Sequence, residues 1–157
     1  MPKHHVTAPG PWCICTRVTP EPDLRACFGF RTRRAMRALT RHYERHLAPA
    51  GLKPTQFSVL AALRLRCHRD LTHLAEMLGL ERTSLLRALA TLGDAGLLAP
   101  DHALTPAGEA RFATALPLWQ AAQEAVAAEL GDQAGAIAIL EQLGERLGRP
   151  ARAPKGP

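Results

Sequence analysis

The stretch of sequence that decides the fold is residues 71–98, LTHLAEMLGLERTSLLRALATLGDAGLL. Within it, Leu71, Leu74, Ala75 and Leu78 have the i, i+3, i+4, i+7 spacing of a helix with one apolar face. A glycine follows at once and is expected to end that helix, because glycine enters the left-handed conformation without a Cβ clash. This segment therefore predicts one short helix and a tight turn.

A second short helix is predicted directly after the turn, with Leu85, Leu89 and Leu92 on its buried face. Gly96 ends it, and the apolar pair that follows predicts a strand. Two such helices followed by a strand are typical of a helix-turn-helix with a wing. The predicted contacts to double-stranded DNA are Thr72, His73, Arg82, Thr83, Ser84 and Arg87.

The alternative is a helical hairpin without DNA contacts, since leucines and glycines recur at similar spacings in other all-α proteins. The charge distribution favours DNA. Residues 1–100 carry 15 basic and 7 acidic side chains, a net charge of +8, whereas residues 106–148 carry 2 basic and 6 acidic, a net charge of −4. A polyanion is attracted to the first segment and not to the second.

The composition predicts one helical domain that needs a partner. The chain has 157 residues, of which 46% are hydrophobic but only 4% aromatic. Few large side chains are therefore present to stabilise a self-contained core, which favours an obligate dimer. Neither a membrane span nor a secretion signal is predicted, so we expect a cytoplasmic protein without membrane contacts.

The order of predicted elements divides the chain into three segments. A proline-rich arm (1–22) precedes the helical domain (23–148), and a basic tail (149–157) follows it. The predicted helices run from Asp23 to about Pro49, from Pro54 to about Cys67, from Pro106 to Leu130 with a kink at Pro117, and from Asp132 to Leu147. The buried side of the first is predicted at Phe28, Ala35, Leu39, Tyr43 and Leu47.

Cysteine and histidine pairs suggest a metal or redox site, although simpler interpretations are favoured. Cys13, Cys15 and Cys27 could hold a soft metal or form a redox switch. They lack the second Cys/His pair that makes zinc spacing specific, and unpaired cysteine is often a small buried hydrophobe. His42 and His46 share one helical face, a spacing expected by chance among seven histidines. No metal or cofactor is predicted.

Catalysis is not predicted. The chain contains no glycine-rich phosphate loop, no serine nucleophile motif and no carboxylate pair on one helical face.

Four segments in this order resemble the MarR family of bacterial winged-helix regulators: RRAMRALTRHYERHLAPAGLKPTQFSVLAAL (33–63), LAEMLGLERTSLLRALATLGDAGLL (74–98), LTPAGEARF (104–112) and ALPLWQAAQ (115–123). The resemblance covers about residues 23–147. It implies a mainly α fold in which a winged helix-turn-helix (53–105) lies between dimerisation regions (23–50 and 106–148). It also implies a homodimer that binds palindromic promoter DNA, commonly as a repressor, and releases it when a small-molecule effector, an oxidant or a metal arrives.

The same resemblance suggests what covers the apolar stripe of the last helix, for which the chain itself has no partner segment left. In this family the first and last helices pair two subunits. The predicted dimer interface is Phe28, Ile137, Leu140, Leu143 and Leu147.

Two departures from the family pattern keep an alternative open. The family's wing is longer and carries an arginine for the minor groove, whereas residues 100–103 contain none, so only a minimal two-stranded wing is predicted. Leu86 and Ala88 occupy positions that are commonly polar. The alternative is a MarR fold that binds a small molecule, a metal or a protein, or that was recruited as an enzyme.

The cysteines match the family's hydroperoxide sensors only in part. Cys27 precedes Tyr43, but the position of the sensing cysteine falls on Gly29 and that of the second tyrosine on Arg33. Peroxide sensing is therefore the less favoured hypothesis.

Overall fold

The computed structural model describes residues 26–66 and 68–147, which are mainly helical, as predicted. The elements are α1 (Phe28–Leu47), a 3-10 turn (Ala48–Ala50), α2 (Pro54–Leu65), α3 (Leu71–Met77), α4 (Arg82–Asp94), α5 (Pro106–Leu130) and α6 (Gln133–Leu147). None of these helices is both long and apolar enough to cross a membrane.

The chain forms two compact units that divide within α1, between Arg37 and Ala38. In the first unit, Ala26 lies in a turn and the helix begins at Phe28, later than the start predicted from Asp23, which itself lies outside the described residues. The first backbone bond is donated by the Arg31 N–H to the Cys27 carbonyl, 3.0 Å away. A favourable charge alone does not determine where a helix begins, because the hydrogen-bonded ladder does.

The second unit is built around α2, which packs against α4 and α5. The sequence predicts Phe57, Leu60, Ala61 and Leu63 on the inward face of α2. Of these, Ala61 is half-buried and the other three are buried, and Val59 and Ala62, which the pattern missed, are buried as well. Helix α3 packs against α4, and α5 packs against the 3-10 turn and α6. The largest fully buried side chains of the described residues are Leu47, Val59, Leu60, Leu74, Leu85 and Leu92.

Both glycine stops in the helix-turn-helix are confirmed. Gly79 has φ +61° and Gly96 has φ +70°, each one residue past a helix C-cap. The Leu80 N–H donates to the Ala75 carbonyl at 2.8 Å, and the Leu97 N–H donates to that of Leu92 at 2.9 Å. Each helix thus ends in a Schellman motif, in which glycine takes the left-handed position and the next leucine closes the turn.

The predicted strand at Leu97 and Leu98 is wrong. Leu98 and Leu104 form one isolated antiparallel bridge, and the described residues contain no strand longer than that. Before the hairpin, the Leu97 N–H is used by the Schellman motif that ends α4. After it, Thr105 is the N-cap of α5. The hairpin between them is therefore too short for a ladder, and the minimal two-stranded wing is reduced to a single bridge.

The boundaries of the last two helices agree with the pattern, apart from one residue. Thr105 caps α5 by accepting a hydrogen bond from the Gly108 N–H at 3.1 Å, and Pro117 lies inside the continuous helix. Gly131, with φ +69°, ends it as predicted. Asp132 precedes α6 instead of beginning it, because its carboxylate accepts a hydrogen bond from the Gly135 N–H at 2.9 Å.

The predicted buried side of α1 is mostly wrong. Leu47 is buried and Tyr43 is half-buried, but Phe28, Ala35 and Leu39 are exposed. An apolar stripe on a helix shows which face needs a partner, but it does not show that the partner belongs to the same chain.

Candidate nucleic-acid interface

Helix α3 begins at a capping aspartate that the sequence analysis did not single out. The Asp70 carboxylate accepts a hydrogen bond from the His73 N–H at 2.8 Å. This bond, together with a second one from the Thr72 backbone and the nearby positive charges, lowers the pKa of Asp70 below its usual value. The cap therefore positions Thr72 and His73 in the first turn of α3. An Asp two residues before Thr72 was the available signal.

The first turn of α4 presents the polar group that the sequence predicted. Arg82 and Thr83 are exposed, and Ser84 is half-buried. The Arg82 guanidinium donates to the Thr72 hydroxyl across 2.9 Å, joining the start of α4 to the start of α3. The structure thus brings these residues of both helices together at one surface.

One turn further along α4, Arg87 is exposed, and its carbonyl accepts a hydrogen bond from the Thr91 hydroxyl at 2.9 Å. Next to it, Leu86 is 44% exposed and Ala88 is half-buried. The outward part of α4 therefore offers guanidinium and hydroxyl donors with one apolar side chain among them, and such donors suit base edges and phosphate oxygens.

His73 is less exposed than Thr72, the other predicted contact on α3. It is half-buried, and its Nδ1 accepts a hydrogen bond from the Arg69 N–H at 3.4 Å. Its ring thus helps to close the connection between α2 and α3.

The second unit also contains an apolar cavity of about 180 Å³, which the sequence analysis did not predict and which none of the predicted DNA contacts lines. The rings of Phe57 and Trp119 stack with their centroids 5.6 Å apart. The Tyr43 hydroxyl donates to the Gln123 side chain, and burial raises the pKa of Tyr43, so this phenol stays neutral. No sequence motif marks this set, because its members are far apart in the chain. The lining residues are Tyr43, Leu47, Pro54, Phe57, Ser58 and Trp119.

The candidate metal and redox residues gain no support. Cys27 is exposed and has no disulfide partner among the described residues, while Cys13 and Cys15 lie outside them. The His42 ring contacts the Ala122 carbonyl at 3.1 Å, and the His46 ring contacts the His42 carbonyl at 2.9 Å. In the described part of the chain, no three His, Cys, Asp or Glu side chains are close enough to hold a metal.

The predicted interface residues are all exposed in the single chain. Helix α6 has no buried residue, and its apolar stripe faces outward. The exposed fractions are 83% for Phe28, 45% for Ile137, 60% for Leu140, 38% for Leu143 and 78% for Leu147.

The fold and the α3–α4 surface define a helix-turn-helix protein with long flanking helices. No protein-family model and no curated protein matches the chain. Solved structures do. The Mycobacterium tuberculosis transcriptional regulator MosR is 37% identical, with a TM-score of 0.71 over 80% of this chain and 98% of MosR. The chain belongs to the MarR family of transcriptional regulators.

Other solved structures in the comparison carry a ligand or DNA. MosR in complex with DNA is 36% identical, with a TM-score of 0.69 over 78% of this chain and 96% of MosR. The repressor CouR, bound to p-coumaroyl-CoA, is 29% identical, with a TM-score of 0.67 over 81% of this chain and 96% of CouR. A M. tuberculosis MarR family protein in complex with salicylic acid is 27% identical, with a TM-score of 0.55 over 79% of this chain and all of that one. These neighbours are regulators, which points away from an enzyme.

Proposed function

We propose that this protein is a ligand-responsive transcriptional repressor that binds palindromic promoter DNA as a homodimer. The observation that carries the proposal is the polar first turn of α4, exposed beside the start of α3 and joined to it by the bond between Arg82 and Thr72. The DNA complex of MosR, 36% identical, supports the same use of the fold. The alternative, a protein of this fold that does not regulate transcription, is not favoured by these neighbours.

In this proposal, α4 enters the major groove with Arg87 facing base edges and with Arg82 and Thr83 near the helix start. Guanidinium groups bind guanine or phosphate oxygens through paired donors, and hydroxyls hold the helix in register on the backbone. Thr72 contributes from α3, where its hydroxyl already positions Arg82.

The test is the affinity of the protein for DNA from its own upstream region, at defined salt. Arg87→Ala is expected to weaken binding to the operator by about 1–3 kcal/mol and to reduce discrimination against unrelated DNA. Arg146→Ala, in the last turn of α6, removes the same charge away from this surface and is the matched control. Equal operator affinity for wild type and Arg87→Ala would reject this assignment.

The second subunit is proposed to cover the exposed apolar stripe of α6 and Phe28 of α1. An unpartnered apolar helix face of this kind is unusual on a monomer, and closed two-fold pairing is the commonest way to bury one. A dimer also places two copies of α4 at a fixed spacing, as a palindromic site requires.

The cavity lined by Phe57 and Trp119 is the proposed effector site. A cavity of about 180 Å³ is large enough for one aromatic ring, since an apolar cavity of roughly 150 Å³ binds benzene. The Ser58 hydroxyl donates to the Pro54 carbonyl at 3.1 Å and the Tyr43 hydroxyl donates to the Gln123 side chain, so each can accept a hydrogen bond from a hydroxyl on a ligand. The salicylic acid complex of a neighbour that is 27% identical supports an aromatic carboxylate as the ligand.

Ligand in this cavity would act by changing how three helices pack. Its walls come from α1, α2 and α5, and α2 also packs against α4. A ligand that prefers one packing arrangement shifts the population toward it by its difference in affinity for the two.

A matched pair of variants at Ser58 tests the effector site, with salicylic acid as the probe. Ser58→Leu is expected to fill the cavity, so that salicylic acid no longer weakens DNA binding, whereas Ser58→Ala leaves the cavity open and keeps the response. Release of DNA from Ser58→Leu by the same salicylic acid concentration as from wild type would place the effector elsewhere.

A further inference from the structure

The short hairpin borders a second cavity, open to solvent, which the proposed function does not use. This cavity, of about 320 Å³, lies between the hairpin residues 101–103 and the connection from α2 to α3. The polar side chains that line it are Arg66, His68, Asp101 and His102.

Two of these residues hold a backbone conformation that favours glycine. In the described part of the chain, Arg66 with φ +50° and His102 with φ +64° are the two non-glycine residues with positive φ. Both side chains line this same cavity. A strained conformation of this kind is retained where the side chain contributes something glycine could not, so each outlier suggests a functional role.

The third polar group lacks a partner. His68 Nδ1 is the buried side-chain polar atom, among the described residues, that makes no hydrogen bond. An unsatisfied buried nitrogen is costly, and a water or a ligand in the cavity would supply the missing partner.

The chemistry of the lining selects an anion. Arg66 carries a permanent positive charge, and both imidazoles can donate hydrogen bonds. The one carboxylate, Asp101, already accepts a hydrogen bond from the Ala103 N–H at 3.1 Å, which shapes the hairpin. A metal is disfavoured, because no three ligating side chains of the described residues come together and a guanidinium lies beside the two histidines.

The place of the cavity in the fold indicates where the anion comes from. Leu71 lines it, and the next residue is Thr72, one of the proposed DNA contacts. We propose that this cavity binds a phosphate of the DNA backbone, with Arg66, His68 and His102 as donors, and so replaces the contact that a longer wing would make. The inference rests on the proposed DNA-binding function.

Glycine substitutions at the two strained positions test this without damaging the fold. Arg66→Gly and His102→Gly remove the side chains and relieve the backbone, so the melting temperature should be unchanged or higher. Each is expected to weaken binding of the full-length protein to operator and to unrelated DNA alike, by roughly 10-fold for Arg66→Gly, because a phosphate contact carries no sequence information. In the proposed dimer the substitution removes one phosphate contact from each subunit, so Arg66→Gly should also make the slope of log affinity against log salt shallower by about 1.8. Arg146→Gln is the control, because it removes the same positive charge from the last turn of α6.

The outcomes separate this inference from the proposed function. Wild-type affinity and salt slope in both glycine variants, with binding lost in Arg87→Ala, would overturn the phosphate site and leave the regulator intact. If wild type binds no DNA but inorganic phosphate raises its melting temperature and not that of Arg66→Gly, the site takes free phosphate and the DNA assignment is overturned. An equal loss of affinity in Arg146→Gln would also overturn it, since the effect would then be general charge.

Discussion

At the scale of the residue, Gly108 allows two segments of backbone to approach closely. It lies in the first turn of α5, and a Cβ built on it would collide with the Leu97 carbonyl oxygen. That carbonyl accepts a hydrogen bond from the Thr105 N–H at 3.1 Å, so the hairpin base and the start of α5 are held together there. Only a residue without a side chain fits between them.

Gly108→Ala is therefore expected to destabilise the protein by about 1–3 kcal/mol, the usual cost of overpacking a tight site. Gly93→Ala is the matched control: a Cβ there meets nothing within 4 Å, and alanine is favoured inside a helix by up to about 1 kcal/mol. Urea unfolding of both variants measures the difference. Equal stability of the two would contradict the close approach.

Asp70 predicts a pH dependence of stability. Its pKa is lowered in the folded protein, chiefly by the hydrogen bond from the His73 backbone, so the carboxylate stabilises the fold at pH values above its usual pKa of about 3.8. That contribution is lost as the pH falls through the lowered folded pKa. The melting temperature of Asp70→Asn should be below that of wild type at pH 7, and the gap should narrow below pH 3.8. Glu76→Gln, a neutralisation in the same helix, should show no such narrowing if the cap is the cause.

At the scale of the element, the hairpin between α4 and α5 is very short. The Ala99 N–H donates to the Ala103 carbonyl at 2.8 Å, and the His102 N–H donates to that of Ala99 at 2.9 Å, so the connection is a single tight turn. A turn of this size projects no arginine into a minor groove. DNA affinity must then come from α4 and from phosphate contacts.

An interface of that kind should be strongly salt-dependent. If about six or more phosphates are contacted by the proposed dimer, affinity should fall by roughly 10³ or more between 50 and 200 mM salt. Fluorescence anisotropy with a labelled operator over that range measures the slope. A change smaller than about tenfold would mean that direct readout, rather than counterion release, dominates.

At the scale of the whole molecule, the proposed dimer would cover the exposed apolar side chains of α6. Burying one leucine is worth about 2 kcal/mol, so burial of the stripe of four large apolar residues would contribute a substantial free energy to that dimer.

Leu140→Glu combined with Leu143→Glu is expected to convert the proposed dimer to a monomer, because charges would be buried without partners. Gln142→Glu adds a charge between them on the exposed helix and should leave the dimer intact if the leucines form the interface. Sedimentation velocity at micromolar concentration distinguishes the two states. A wild-type monomer under those conditions would refute the dimer.

The sequence by itself determined the features that depend on local chemistry. Glycine after an apolar position, as at Gly79 and Gly96, and threonine before proline, as at Thr105, locate helix ends, because the hydrogen bonds that end or begin a helix are made within a few residues. The polar first turn of α4 followed from the same periodicity. These signals were sufficient for the helix-turn-helix and for the polar surface that it exposes.

Only the tertiary structure decided which distant side chains meet. Tyr43, Phe57 and Trp119 line one cavity, and Arg66 and His102 line another, although no spacing in the chain relates them. The strand predicted after Gly96 does not form for a related reason. A ladder of hydrogen bonds needs several extended residues on both sides of the turn, and α5 begins shortly after the bridge between Leu98 and Leu104. Long-range packing sets these arrangements, because side chains far apart in sequence are brought together by helix crossings that local hydrogen-bonding rules do not specify.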